Sequence, residues 1–271
     1  MATLQFSALT PRTSISPVSS PAALREALLH IFSMSSKGLW LVGGTAIAGY
    51  FAEHRRSDDL DLFALHQQAF QSAVYAVKSL KKLGAEFQRE LSTPLFYRTD
   101  IFFKGHTFTA DVVLDENLGH IGKAFRTTDG VVVADLQTLL AMKIACLVSR
   151  CSEKDLFDLD WILAHLKAWS VSDLIELASP IDGGLTVESL LISLQGTILR
   201  KSACSFLLPN SSLNENSVYK KITKLQKHFI QLLFAYEKKE PPLSESEAII
   251  ESFKQQRQLA RHKAKKDERN K

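Results

Sequence analysis

LWLVGGTAIAGYFAEHRRSDDLDLF, residues 39–63, contains the order of features from which the fold is predicted. A short apolar run over 39–42 ends at two glycines, and a region rich in small residues follows over 45–53. A second β-prone run over 60–63 closes the stretch. This order predicts a strand, a tight turn, a helix packed closely on a sheet, and a second strand.

Two aspartates, Asp59 and Asp61, lie one residue apart at the second strand. Side chains two apart on a strand point to the same face. Two carboxylates held together repel each other unless a cation lies between them, and Mg²⁺ prefers oxygen ligands. The pair is therefore a candidate cradle for two metal ions about 3.5–4 Å apart. The alternative is a pair of solvated carboxylates on an edge strand.

The glycines and a later aspartate extend this candidate site. Gly43 and Gly44 lie between a strand and a helix, where backbone N–H groups can approach a phosphate closely. Thr45 would cap the helix and offer a hydroxyl, although the glycines could equally form a plain tight turn. Asp111 interrupts an apolar strand, where a carboxylate costs free energy unless it is paired or bound to metal. Its alternative is an edge position facing water.

Working outward, helices are predicted over 21–34 and 67–83, and strands over 86–91, 95–103, 107–114 and 131–133. Lys104-Gly105 predicts a hairpin between two of these strands. From residue 135 onward the pattern is helical. The prediction is an α+β fold, with a mixed sheet of about five strands, flanking helices and a helical C-terminal part. The predicted domains are a flexible or loosely docked N-terminal arm over 1–20, an α/β core over 21–134, a helical domain over 135–253 and a basic tail over 254–271.

Composition and charge restrict the setting. The chain has 271 residues, of which 45% are hydrophobic and 23% charged, as in ordinary globular proteins. No apolar run approaches the roughly 18 residues needed to span a membrane. Three cysteines without a C-x-x-C pair predict a reduced, cytoplasmic setting and no zinc site. The net charge of +4 is concentrated in residues 254–271, which hold eight Lys or Arg and two acids. Such a tail is either a solvated end or a weak, salt-dependent attraction for nucleic acid.

These motifs together resemble the nucleotidyltransferase superfamily and, more narrowly, the abortive-infection toxin nucleotidyltransferases of the AbiEii/AbiGii type. The family pattern has GGT, then HR-x-S-x-D-x-D, then a helix bearing Lys and Arg, then D-x-x-D. The matching residues here are Gly43, Gly44, Thr45, His54, Arg55, Ser57, Asp59, Asp61, Lys143, Arg150, Asp155 and Asp158. The resemblance covers about residues 38–166 and implies a polymerase-β-like core.

The resemblance also implies roles for these residues. Asp59, Asp61 and Asp111 would be catalytic and would hold Mg²⁺ or Mn²⁺. The nucleotide and its phosphates would be bound by Gly43, Gly44, Thr45, Arg55, Ser57, Lys143 and Arg150, with Asp155 and Asp158 as additional site residues. The substrate would be an NTP, the acceptor an RNA (a tRNA end, for example) or a protein, and a partner a cognate antitoxin.

Several of these residues have structural alternatives. Asp155 ends a Ser152-Glu153-Lys154-Asp155 capping pattern. Arg55 could be a surface charge, and His54 is better explained as a packed or capping residue. Lys154 stands where the family usually has an arginine, and a lysine lacks the fork geometry of a guanidinium.

Two other function classes remain open. One is a small-molecule nucleotidyltransferase of the antibiotic-modifying kind. The other is a non-catalytic nucleotide-binding protein on the same scaffold.

Overall fold

The computed structural model describes residues 4–6 and 9–237. Residues 1–233 form one compact unit, and of the remainder only the last turn of a long helix is described. The predicted end of the helical domain and the predicted basic tail lie outside the described residues.

A mixed sheet organises the N-terminal half of this unit. In the described residues it has seven strands in the order β3-β4-β5-β2-β1-β7-β6. They are β1 Leu39–Val42, β2 Asp59–Ala64, β3 Glu86–Ser92, β4 Phe96–Phe103, β5 His106–Leu114, β6 Ala124–Arg126 and β7 Val132–Ala134. The predicted fold class is confirmed, but the expected number of about five strands is too low. The three-residue β6 is too short to show an alternating pattern, and it forms only by pairing with β7.

Strand pairing places β1 and β2 at the centre of the sheet. They pair antiparallel, whereas β2 runs parallel to β5 and β1 parallel to β7. The predicted hairpin joins β4 to β5 through Lys104 and Gly105, with φ of 48° and 78°. Positive φ at both turn residues matches the twist that two-residue hairpins require.

Helices pack on the sheet in the N-terminal half, and the chain after β7 is helical in the described residues. The described helices are α1 Ala22–Met34, α2 Gly43–Ala46, α3 Gln67–Ser79, α4 Leu118–Ile121, α5 Leu136–Ser149, α6 Glu153–Leu163, α7 Val171–Ala178, α8 Val187–Gly196 and α9 Glu215–Glu237. Helices α1 and α3 pack on one face of the sheet, over the fully buried Leu60 and Leu62. Helix α5 is the centre of the helical part and contacts α6, α7 and α8.

The helix predicted over 45–53 begins earlier and is irregular. It is the short α2 followed by a π-helical segment, Ile47–Ala52, and it ends at Glu53 with φ of 47°. Such segments are rare and are often found beside functional sites.

The N-terminal segment is predicted to be either flexible or loosely docked, and its described part is docked in the structure. Ile15, Ser16, Ser19 and Ser20 are buried. The Ser16 N–H donates to the Gly49 carbonyl at 2.9 Å, so the segment lies against the π-helical turn.

Candidate active site

Three aspartates share one face of the sheet. Asp61 on β2 is the register partner of Asp111 on the parallel strand β5, and Asp59 is the partner of Thr109. Partners on neighbouring strands point to the same side, and residues alternate along each strand. The aspartates therefore lie on the face opposite the buried Leu60 and Leu62.

The glycine turn lies directly against one of these carboxylates. Gly43 has φ of +67°, and a Cβ at this position would be 1.9 Å from Asp61 Oδ2. Only glycine satisfies both the backbone conformation and the lack of space. The start of α2 and the Asp61 carboxylate are consequently in close contact.

Repulsion and burial shift the pKa values of two aspartates. Burial, together with the charge of Asp59, raises the pKa of Asp61, while Lys143 and Arg150 oppose the shift. Burial and the charge of Asp61 raise the pKa of Asp111 to about 6. A cation between the carboxylates would relieve this repulsion.

The donor atoms suit a hard cation, but only in part. Within the described residues, no hydrogen bond or ion pair engages the carboxylates of Asp59 and Asp61. Asp111 Oδ1, however, lies 2.9 Å from Arg98 Nε. No set of three or more His, Cys, Asp or Glu residues in this part of the chain is arranged to hold a metal ion. Asp59 and Asp61 fit an oxygen-preferring divalent cation, and Oδ1 of Asp111 would become available to it once Arg98 moves.

A buried ionic cluster lies beside this face. Asp158 on α6 accepts from Arg55 Nε at 2.6 Å and from Arg55 Nη2 at 2.7 Å. It is fully buried, and only 2% of Arg55 is exposed. Lys143 Nζ on α5 lies 2.8 Å from Asp158 and 2.7 Å from Asp155. Arg150 Nε donates to Asp155 at 2.8 Å.

Charge balance inside the cluster is reflected in the pKa values. Burial alone would raise the pKa of Asp158, but Arg55 and Lys143 outweigh it and hold that pKa well below its ordinary value. The pKa of Asp155 is likewise low, because Lys143 and Arg150 outweigh its burial. Burial lowers the pKa of His54, although the imidazole is within 2.9 Å of Asp158.

Comparison with known proteins identifies the family. A family model described as "Nucleotidyl transferase AbiEii toxin, Type IV TA system" matches residues 26–202. The chain belongs to this family. An uncharacterized protein from Aquifex aeolicus is 26% identical over an alignment of 174 residues, and the match covers 61% of this chain and 79% of that protein.

Two solved structures are similar to this chain, and the first of them shares its fold. MenT4, a nucleotidyltransferase toxin from Mycobacterium tuberculosis, superposes with a TM-score of 0.50 at 15% identity, covering 76% of this chain and 81% of its own. JHP933 from Helicobacter pylori gives a TM-score of 0.41 at 16% identity, covering 78% and 91%. The described part of the chain contains no helix that is long and apolar enough to cross a bilayer.

The AbiEii motif residues separate into two groups in the structure. Gly43, Asp59 and Asp61 come together with Asp111 on the face of the sheet opposite Leu60 and Leu62. In contrast, Arg55, Lys143, Asp155 and Asp158 bind one another, so their predicted contact with nucleotide remains a prediction. Arg150 connects the two groups, because it pairs with Asp155 while its charge also acts on Asp61.

Two predicted phosphate ligands support the backbone, and their contact with phosphate remains a prediction. The Thr45 hydroxyl donates to the Asp59 carbonyl at 2.5 Å and lies 2.9 Å from Ser57 Oγ. Both side chains are buried. They fasten the start of β2 to the glycine turn, while Gly44 leaves room for Arg55, since a Cβ there would be 2.3 Å from Nη2.

Asp155 and His54 agree with their structural alternatives. The Ser152 hydroxyl accepts from the Asp155 N–H at 3.3 Å, which is the expected helix cap. Asp155 is at the same time a member of the buried cluster. The His54 ring stacks on Phe157 with centroids 5.0 Å apart.

Sequence reasoning missed Arg98. A two-residue hairpin turn at Lys104 and Gly105 fixes the register of β4 and β5, and counting back from it places Arg98 opposite Asp111. The signal was therefore present in the position of the turn.

Proposed function

We propose that this AbiEii-family protein is a metal-dependent nucleotidyltransferase. An acceptor hydroxyl attacks the α-phosphate of an NTP, a new phosphodiester bond forms, and pyrophosphate leaves. The observation that carries the proposal is the register pairing of Asp61 with Asp111, with Asp59 on the same face and Gly43 against Asp61. When bound, Mg²⁺ or Mn²⁺ would stabilise the charge of the in-line displacement.

The chain's own residues would do the positioning. Asp59 and Asp61 would hold the metal, and Asp111 would complete its ligand set or accept the proton of the attacking hydroxyl. Backbone N–H groups at Gly43 and Gly44 would bind the triphosphate. Arg150 would offer its exposed guanidinium to the phosphates, while Asp155 fixes its position.

An RNA acceptor is supported by the charge of α9. Between residues 216 and 236 this helix contains no Asp or Glu. Its basic residues there are Lys220, Lys221, Lys224, Lys227 and His228. Lys221 pairs with Asp160 on α6 at 2.5 Å, whereas Lys220, Lys224 and Lys227 are exposed at helical spacing. Like charges three and four residues apart destabilise a helix. A polyanionic backbone would remove this repulsion. We also propose a cognate antitoxin as partner, because the family is described as part of a type IV toxin–antitoxin system.

The test uses each NTP labelled at the α-phosphate, with Mg²⁺ or Mn²⁺ and total RNA, protein or small-molecule extracts. Label in material that RNase removes supports the proposal. The same NTP labelled at the γ-phosphate should transfer nothing, because that phosphate leaves in pyrophosphate. Label in a protein band or in a small molecule would support nucleotidyl transfer but would show that the acceptor is not RNA.

A non-catalytic nucleotide-binding protein is the second candidate. The ion pair between Arg98 and Asp111 favours it, because this pair occupies one oxygen of the third carboxylate. Nucleotide binding without transfer to any of the three extracts would support this second candidate.

A further inference from the structure

Arg98 lies in one row with two of the aspartates. It is the register partner of Asp111 across β4 and β5, and Asp111 is the partner of Asp61 across β5 and β2. Arg98 therefore projects from the same face as both carboxylates. It brings a positive charge to the point where three carboxylates meet.

The contact between Arg98 and Asp111 is an easily broken one. Arg98 Nε lies 2.9 Å from Asp111 Oδ1, and 51% of the Arg98 side chain is exposed. Asp111 Oδ1 is buried, yet no well-directed hydrogen bond satisfies it. In contrast, Arg55 is buried and donates hydrogen bonds to both carboxylate oxygens of Asp158. A half-exposed ion pair with a single contact, such as that between Arg98 and Asp111, contributes little to the stability of the fold.

We propose that Arg98 is a movable counter-ion that exchanges with a divalent cation. In one position the guanidinium neutralises Asp111. When a divalent cation takes Asp111, the guanidinium turns to the triphosphate of the NTP. This inference rests on the proposed function and adds a substrate-positioning residue to it.

The exchange accounts for the incomplete metal cluster. Asp59 and Asp61 have no cationic contact within the described residues, while Asp111 is held by Arg98. Lys143 and Arg150 also act on Asp61, but they are paired with Asp155 and Asp158. Three carboxylates and the one guanidinium of Arg98 therefore leave this face with an excess of negative charge, which attracts a divalent cation. The displaced guanidinium matches a phosphate, since its planar fork can donate two parallel hydrogen bonds. Its Cα stays in β4 throughout, so the movement needs only side-chain rotation.

The test compares wild type with Arg98→Gln in two binding measurements made without turnover. Mn²⁺ alone is titrated by calorimetry, and then a non-hydrolysable NTP analogue is titrated with Mn²⁺ present. Arg98→Gln should bind Mn²⁺ about two- to fivefold more tightly, because its competitor is gone. The same variant should bind the analogue about 10- to 100-fold more weakly, because a charge-assisted contact is lost. Opposite shifts of the two affinities are not expected from a structural role.

Arg89→Gln is the matched control. Arg89 lies on the neighbouring strand β3 and pairs with Asp100, and 85% of its side chain is exposed. It should change neither affinity. Arg98→Lys keeps the charge without the fork, so it should bind Mn²⁺ like wild type and the analogue with intermediate affinity.

Two results would overturn the inference: affinities unchanged in Arg98→Gln, or both affinities lowered together. If wild type transfers label in the assay above while Arg98→Gln shows either result, only the role of Arg98 fails. If neither protein binds Mn²⁺ and neither transfers label, the proposed metal-dependent function fails with it.

Discussion

Asp61 and Asp111 are register partners on parallel strands, although 50 residues separate them in the chain. A parallel pair needs a long crossover connection, which here contains α3, β3 and β4. The two carboxylates are therefore neighbours only when the whole crossover is folded. This makes the candidate site a property of the complete sheet and not of the D-x-D segment alone.

Gly43→Ala should damage both the fold and the site. The new side chain would meet a positive φ and the Asp61 carboxylate. Gly130→Ala is the control, because Gly130 has φ of +88° but open space within 4 Å of the position that a Cβ would take. The control should lose about 1–3 kcal/mol of unfolding free energy from backbone strain alone. Gly43→Ala should lose more, and it should also lose label transfer. Urea unfolding measures the loss of stability, and the transfer assay measures the loss of activity. If Gly43→Ala lost no more unfolding free energy than Gly130→Ala and still transferred label, the close contact between Gly43 and Asp61 would be contradicted.

Asp158→Asn should be strongly destabilising at neutral pH. It leaves the buried charges of Arg55 and Lys143 without their shared partner, which costs about 3–5 kcal/mol. Asp160→Asn, on the same helix, removes only the pair with the half-exposed Lys221 and should cost about 1 kcal/mol or less. Urea unfolding at pH 7 would compare the two variants. Similar losses would show that the buried cluster is not a principal support of the fold.

The Asp158 effect should depend on pH in a defined direction. The pKa of Asp158 in the folded protein is well below its ordinary value. Its contribution is therefore complete above about pH 4, the unfolded-state pKa, and is lost as the pH falls toward the folded-state pKa. The stability difference between wild type and Asp158→Asn should narrow below pH 4. A difference that stays constant from pH 7 to pH 3 would contradict the assigned charge state.

Reversing three charges on α9 should weaken RNA binding by a salt-dependent amount. The triple variant Lys220→Glu, Lys224→Glu, Lys227→Glu removes an exposed row of cations from one helix face. The slope of log affinity against log salt should become shallower by roughly 2, because each phosphate contact to single-stranded RNA contributes about 0.7. Anisotropy of a labelled RNA at several salt concentrations measures this slope.

Lys81→Glu is a suitable control for the α9 variant, because Lys81 lies outside this face and pairs with Glu90. Affinity for the NTP analogue should stay unchanged in both proteins. If the slope of log affinity against log salt is the same in the triple variant as in wild type, α9 is not part of the RNA-binding surface.

The sequence predicted the turns and strands that depend on neighbouring residues, but it did not predict contacts between residues far apart in the chain. Lys104-Gly105 and the alternating residues beside it were enough for the hairpin, and Gly43 with the D-x-D pair was enough for the central strands. The pairing of Arg55 with Asp158 spans 103 residues, and no local pattern reveals it. A buried arginine and a surface arginine look alike in one sequence, because burial depends on which helix later packs against it.

Transfer of an α-phosphate label by Asp61→Asn, compared with wild type, tests the central claim most directly. The substitution keeps the size of the side chain and removes the charge that would hold the metal. Asp58→Asn is the control, because Asp58 immediately precedes β2 and lies 3.4 Å from His106. We expect Asp61→Asn to lose about 10³-fold or more of the transfer rate, as befits several kcal/mol of charge stabilisation. Asp58→Asn should stay within about threefold of wild type, which is about 0.7 kcal/mol. A folded Asp61→Asn protein that transfers label at the wild-type rate would contradict the assignment of this face as the active site.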